Sequence, residues 1–162
     1  MNSSINPAEH TQASPHTAML NEALQLQRDA YFAAPIPTAA ERKHDLKQLK
    51  AMLSENLEAI TSAISEDYGN RSYHESLFAE VIAVTDGIND TIKKVKGWMK
   101  PERRHIDVGM YPGAKNRLIP QPLGVVGMIV PWNFPVNLSF SQLAAVFAAG
   151  NRAMVKMSEN SI

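Results

Sequence analysis

Residues 125–135 read Val125-Val126-Gly127-Met128-Ile129-Val130-Pro131-Trp132-Asn133-Phe134-Pro135, and residues 152–159 read Arg152-Ala153-Met154-Val155-Lys156-Met157-Ser158-Glu159. Between them lies a stretch rich in Leu, Ala and Phe, closed by Gly150-Asn151. The apolar runs at 125–130 and 152–157 have the length of buried strands, and residues 137–149 have the length and composition of a helix. Strand, crossover helix, strand is the repeating unit of a parallel α/β sheet. Ligands of open α/β sheets bind outside the carboxyl ends of the strands. Two polar clusters follow those ends: Pro131 to Pro135 after the first strand, and Lys156 to Glu159 closing the second. Parallel neighbours would put them side by side.

Each cluster has a chemical reading beside a plainer one. Asn133 is a neutral amide in a turn stiffened by two prolines, so its N–H can hold a developing oxyanion without titrating. Alone, it reads rather as a turn residue, and the whole pattern reverses that preference. Lys156 follows an apolar strand, and a buried lysine needs a partner such as an anionic or hydroxyl-rich ligand. Glu159 can accept the vicinal hydroxyls of a ribose. The plainer reading is a solvated Lys–Glu pair. No Gly-x-Gly-x-x-Gly phosphate fingerprint occurs.

Working outward, the 162 residues are 44% hydrophobic and 20% charged, the balance of a soluble globular protein. A net charge of zero points to neither nucleic acid nor an acidic membrane surface. There is no cysteine, which removes disulfides, thiolate metal sites and cysteine nucleophiles from this stretch. The five histidines, His10, His16, His44, His74 and His105, have no ligand-like spacing, so no metal is expected. No charge falls between Arg117 and Arg152, but Pro120, Pro122, Pro131 and Pro135 interrupt that stretch, which argues for a buried α/β core rather than a membrane span. Residues 1–16 read as a disordered polar leader without a signal-peptide core, in a cytoplasmic protein.

Residues 17–100 read as helices. The first spans 17–33 and ends before Pro35 and Pro37. Thr38 and Glu41 form a capping box for the second. Leu46, Leu49, Leu53, Leu57, Ile60 and Ile64 then line one face until Gly69 ends it. A third helix over 73–100 carries Leu77, Val81, Val84, Ile88, Ile92, Val95 and Met99, a stripe suited to a helix pair. Lys93, Lys94, Lys96 and Lys100 read as a solvated face favoured by the helix dipole. Residues 101–124 form an extended connector, since Pro120 and Pro122 cannot donate to a central ladder. The remainder, 125–162, is the strand–helix–strand unit.

The ordered set Leu123-Gly124-Val125-Val126, Val130 to Pro135, Ala148-Ala149-Gly150-Asn151 and Lys156-x-Ser158-Glu159 resembles the NAD(P)-dependent aldehyde dehydrogenases. Pro101-Glu102-Arg103-Arg104 and Gly113-Ala114-Lys115-Asn116-Arg117 resemble the coniferyl aldehyde dehydrogenase branch, near the class 3 enzymes. The resemblance covers about residues 20–162. It implies N-terminal helices packed beside the start of a Rossmann-like parallel sheet, an incomplete form of that fold. It implies that Asn133 is the catalytic oxyanion-hole asparagine and also borders the cofactor. Ile129, Val130, Pro131 and Trp132 would lie along the cofactor, and Lys156, Ser158 and Glu159 would contact the adenosine ribose. The implied cofactor is NAD, with NADP left open. The implied substrate is a small-molecule aldehyde, aromatic and of the coniferyl type, oxidised to the carboxylic acid through a cysteine thiohemiacetal, and the implied full-length assembly a homodimer. The family's cysteine, general-base glutamate and nicotinamide-side glycine motif fall downstream of residue 162, so this stretch alone should be inactive. Met157 stands where the family often has Pro. Two rivals rest on fewer residues: a non-catalytic helical interaction module on the 77–99 stripe, and a general nucleotide binder on Lys156 and Glu159.

Overall fold

A computed structural model describes residues 15–161. The leader expected over 1–16 lies outside the described residues, apart from Pro15 and His16, which open helix α1 (Pro15–Ala33). The last turns of α1 are tied to the sheet. The Tyr31 hydroxyl donates to the Pro122 carbonyl at 3.2 Å. Arg152 donates to the Gln27 side chain at 3.3 Å and to the Ala30 carbonyl at 3.4 Å.

Helix α2 (Ala39–Glu55) opens on the expected capping box: the Thr38 N–H donates to Glu41 at 2.7 Å, and the Glu41 N–H to the Thr38 hydroxyl at 3.3 Å. The single helix expected up to Gly69 is two. Asn56, at φ −112° and ψ 18°, separates α2 from α3 (Leu57–Asp67), and its side chain donates back to the Met52 carbonyl at 2.8 Å. The apolar spacing runs through this break without a slip, so the pattern hides it. Helix α3 ends through Gly69 and Asn70, both left-handed at φ 62° and 81°, with the Asn70 N–H reaching the Ser65 carbonyl at 2.8 Å.

The third expected helix is also not uniform. α4 (Tyr73–Ser76) runs into a π-helical stretch (Leu77–Ile82) and then into α5 (Ala83–Trp98). Its stripe is buried at Val81, Val84, Ile88 and Val95. Val84, Ile88 and Val95 share a core with Leu46, Leu49 and Leu53 of α2 and with Ala144 and Ala148 of α6 (Pro135–Ala148). The expected helix pair is therefore a three-helix contact, with the crossover helix of the sheet as its third member. The lysines at 93, 94, 96 and 100 are exposed, as a solvated face requires.

Within the connector 101–124, β1 (Glu102–Arg104) pairs antiparallel with β2 (Asn116–Leu118), a hairpin that the prolines did not announce. β3 (Val125–Ile129) pairs parallel with β4 (Arg152–Lys156), from Val125 opposite Arg152 to Ile129 opposite Lys156. This is the expected parallel unit. Its burial is less than expected: Met128 and Val130 are buried, but Ile129 is 81% exposed. Side chains alternate faces along a strand, and α1 and α6, which pack on the pair, leave Ile129 open. Among the described residues no helix is long and apolar enough to cross a membrane.

The amino end of the strand pair is closed by a separate set of contacts. The Asn151 side-chain oxygen accepts the N–H groups of Leu123 and Gly124 at 2.6 and 2.9 Å. Arg42, buried on the apolar face of α2, donates to the Ala148 carbonyl at 2.9 Å and the Pro37 carbonyl at 3.0 Å. Gly150 sits at φ 81°, and a Cβ there would lie 2.7 Å from the Arg42 guanidinium carbon. Only glycine satisfies both the turn and that approach.

Candidate active site

The two clusters leave the sheet from adjacent positions. Ile129 opposes Lys156, and the Val130 N–H donates to the Lys156 carbonyl at 2.9 Å, one residue past the assigned ladder. The structure thus brings Ile129 and Val130, at the start of the 131–135 turn, beside Lys156, whose side chain in turn pairs with Glu159.

The turn is held from the helical half of the chain. Phe134 occupies the N-cap of α6 but offers no side-chain cap, and Pro135 follows at the first helical position. The orphan N–H groups of Val136 and Asn137 go instead to Glu80 Oε2, at 3.0 and 2.8 Å. Glu80 comes from the π-helical stretch and is fully buried. The Asn137 amide returns a bond to the Ala79 carbonyl at 2.6 Å. The other Glu80 oxygen takes Arg71 Nη1 at 3.0 Å. Burial holds the Glu80 carboxyl above its ordinary value, opposed by the Asn137 N–H, the Arg71 charge and the Val136 N–H.

Arg71 packs its guanidinium against the rings of Tyr68 and Phe134, 5.1 and 4.7 Å from their centroids. It also donates to the Asn133 carbonyl at 3.3 Å. The Tyr68 hydroxyl donates to the Trp132 carbonyl, with the two rings 6.0 Å apart. Burial pushes the Tyr68 hydroxyl up, which keeps it a donor. Trp132 is half exposed, and Asn133 is exposed. The Asn133 side-chain amide takes no hydrogen bond among the described residues.

Lys156 is not the buried lysine expected from its strand. Its side chain is 56% exposed and that of Glu159 81%, because β4 ends at the open rim of a two-stranded sheet. Lys156 pairs with the Glu159 carboxylate and donates to the Met157 carbonyl at 3.1 Å. The bond from Lys156 holds the Glu159 carboxyl below its ordinary value. The Ser158 hydroxyl accepts the Asn160 N–H at 3.2 Å. No group of three or more His, Asp or Glu side chains placed to hold a metal ion occurs among the described residues.

Comparison with known proteins decides the family. The sequence model described as the aldehyde dehydrogenase family matches residues 3–162. This chain belongs to the aldehyde dehydrogenase family. It is 46% identical over 134 residues to a probable coniferyl aldehyde dehydrogenase of Pseudomonas aeruginosa, covering 83% of this chain and 28% of that protein. It is 44% identical over 140 residues to the coniferyl aldehyde dehydrogenase of Pseudomonas sp. strain HR199, covering 86% and 28%. The fold matches the aldehyde dehydrogenase KauB from Pseudomonas aeruginosa, at 26% identity and a TM-score of 0.76, covering 89% of this chain and 28% of KauB, and PnpE in complex with nicotinamide adenine dinucleotide, at 25% identity and a TM-score of 0.75, covering 90% of this chain and 28% of PnpE. The chain therefore spans 28% of the length of each of these proteins.

Sequence reasoning placed the two clusters but missed the side chains that hold the turn: Tyr68, Arg71 and Glu80. One signal was present. Glu80 stands three residues after Leu77 and four before Val84, on the apolar stripe itself. A carboxylate at such a position is buried with a partner or else opposes the helix packing.

Proposed function

We propose that these residues form the cofactor side and the oxyanion-holding turn of an enzyme that oxidises an aldehyde to its carboxylic acid with NAD(P), the substrate being an aromatic aldehyde of the coniferyl type. The observation that carries this reading is the convergence of the 131–135 turn and the 156–159 segment at the carboxyl ends of two hydrogen-bonded parallel strands. The names of the two Pseudomonas relatives support the substrate class, and the fold match to a dinucleotide complex supports the cofactor.

The residues present fit a dinucleotide. Ribose hydroxyls both donate and accept, and Lys156 and Glu159 offer an exposed ammonium beside an exposed carboxylate. A hydroxyl pair can enter their mutual contact and leave neither charge orphaned, with Ser158 between them in sequence. Ile129, Val130, Pro131 and Trp132 would border the cofactor along the turn, and a carboxylate at Glu159 favours NAD over the 2′-phosphate of NADP. When bound, the nicotinamide supplies the hydride acceptor. Asn133 supplies an amide donor free of internal partners, so it can hold the aldehyde oxygen and bind it more tightly as attack makes it an oxyanion. The nucleophile must come from outside these residues, since the sequence contains no cysteine. Val108, Met110, Tyr111 and Ile119 are more than half exposed and apolar, surface available to the rest of the enzyme or to a second subunit of a homodimer.

The purified chain is expected to form no NADH from coniferyl aldehyde and NAD. A chimera carrying it in place of the matching segment of the Pseudomonas aeruginosa relative is expected to form NADH. Turnover by the chain alone would defeat the division of labour. A folded but inert chimera, beside an active parent, would defeat the functional reading. In the same chimera, Glu159→Gln should weaken NAD binding by about ten-fold, the worth of one charge-assisted hydrogen bond, and leave the rate at saturating cofactor unchanged. Equal dissociation constants by titration calorimetry would remove Glu159 from the cofactor site.

A further inference from the structure

The Asn133 side chain has no hydrogen-bonding partner among the described residues, so its backbone, which fixes the Cβ direction and the rotamers open to the amide, is what positions it. That backbone is anchored on both sides. The Trp132 carbonyl belongs to the peptide plane before the Asn133 Cα and takes the Tyr68 hydroxyl. The Asn133 carbonyl belongs to the plane after it and takes Arg71 Nη1 at 3.3 Å. Peptide units are planar, so two held planes meeting at one Cα fix its φ, its ψ and the direction of its Cβ.

The anchors are themselves held. The Arg71 side chain is 8% exposed, bonded to buried Glu80 at 3.0 Å and packed on the Tyr68 and Phe134 rings. The left-handed pair Gly69 and Asn70 ends α3 immediately before Arg71 and turns the chain towards the 131–135 turn. Glu80 then fixes the far side of the turn through the N–H groups of Val136 and Asn137.

We propose that Tyr68 and Arg71 are positioning residues for the Asn133 amide: they touch no substrate, and they aim the oxyanion donor by holding the peptide planes on either side of it. The proposal rests on the oxyanion role given to Asn133 above. A misaimed catalytic group costs up to roughly 10²-fold in rate.

The test uses the active chimera, with single-turnover acylation measured at saturating NAD, NAD affinity measured by titration, and folding checked by melting. Arg71→Met is expected to slow acylation by roughly 10–10²-fold with NAD affinity unchanged. Arg71→Lys restores the charge opposite Glu80 and should recover part of that loss. Tyr68→Phe removes one hydroxyl, keeps the ring, and should slow acylation to a smaller extent. The decisive measurement is the double variant. If Arg71 acts through Asn133, Arg71→Met adds nothing in the Asn133→Ala background. If it lowers the rate there by its full single-variant factor, the positioning role is overturned. If Arg71→Met does not fold, the same cycle is run with Tyr68→Phe, and a parental rate in that variant overturns the proposal. An Asn133→Ala variant with parental acylation would instead sink the oxyanion role, a distinguishable failure.

Discussion

Asn133→Ala in the active chimera is expected to lower the acylation rate by roughly 10²–10³-fold, the usual loss for one oxyanion donor. The carbonyl oxygen of the substrate gains charge only as the nucleophile attacks, so the amide N–H contributes most at that moment. NAD affinity should change little, because the side chain has no structural partner to lose and the cofactor contacts proposed for the turn use its backbone. A residue serving only the turn would behave otherwise: its loss would lower the melting temperature and weaken cofactor binding together. Single-turnover kinetics beside a melting curve separate the two. A near-parental acylation rate would end the oxyanion assignment.

Glu80→Ala should be the most destabilising substitution in the described chain, costing about 3–5 kcal/mol. The carboxylate is fully buried and satisfies three donors: Arg71 and the N–H groups of Val136 and Asn137. Alanine leaves the first turn of α6 without its acceptor and takes from the Arg71 guanidinium its buried counter-charge, leaving it only the exposed Glu75 carboxylate and the Asn133 carbonyl. Glu80→Gln keeps an acceptor but loses the charge opposite Arg71, and should fall between. Burial also sets a pH dependence. The folded-state pKa lies above the ordinary 4.5, so the folded chain retains a proton that the unfolded chain has released over the interval just above that value. This group's contribution to stability is therefore full below 4.5 and falls as pH rises through the folded pKa. Glu80→Gln should flatten that segment of a stability–pH curve. Melting of the parent and both variants across mildly acidic pH provides the check, and an unchanged midpoint for Glu80→Ala would contradict the capping role.

What could be read from the sequence follows from the range of the interactions. The Thr38–Glu41 capping box is local, and it forms as read. The parallel strand pair and its crossover helix were legible because burial imposes a period on the residues. Asn56 was not, because one non-helical residue left the spacing from Leu53 to Ile60 intact. The π-helical stretch was not, because the stripe of 77–99 accommodates it. Nothing local to Arg71 or Arg42 signals burial, yet each is held by a partner distant in sequence: Asn133 for one, Ala148 for the other. Lys156 erred in the opposite sense. An apolar strand suggested burial, and the strand's position at an open rim denied it.

The strand pair carries one set of contacts at each end: Asn151, Gly150 and Arg42 where the strands begin, and the 131–135 turn with Lys156 and Glu159 where they finish. Five residues of parallel strand separate these ends by roughly 16 Å, beyond the roughly 7–10 Å over which substitutions influence one another. The two ends can therefore be varied as independent libraries. Robustness improved at the Asn151 end and selectivity altered at the Asn133 end should combine additively, whereas changes within the Tyr68–Arg71–Glu80 group must be made jointly.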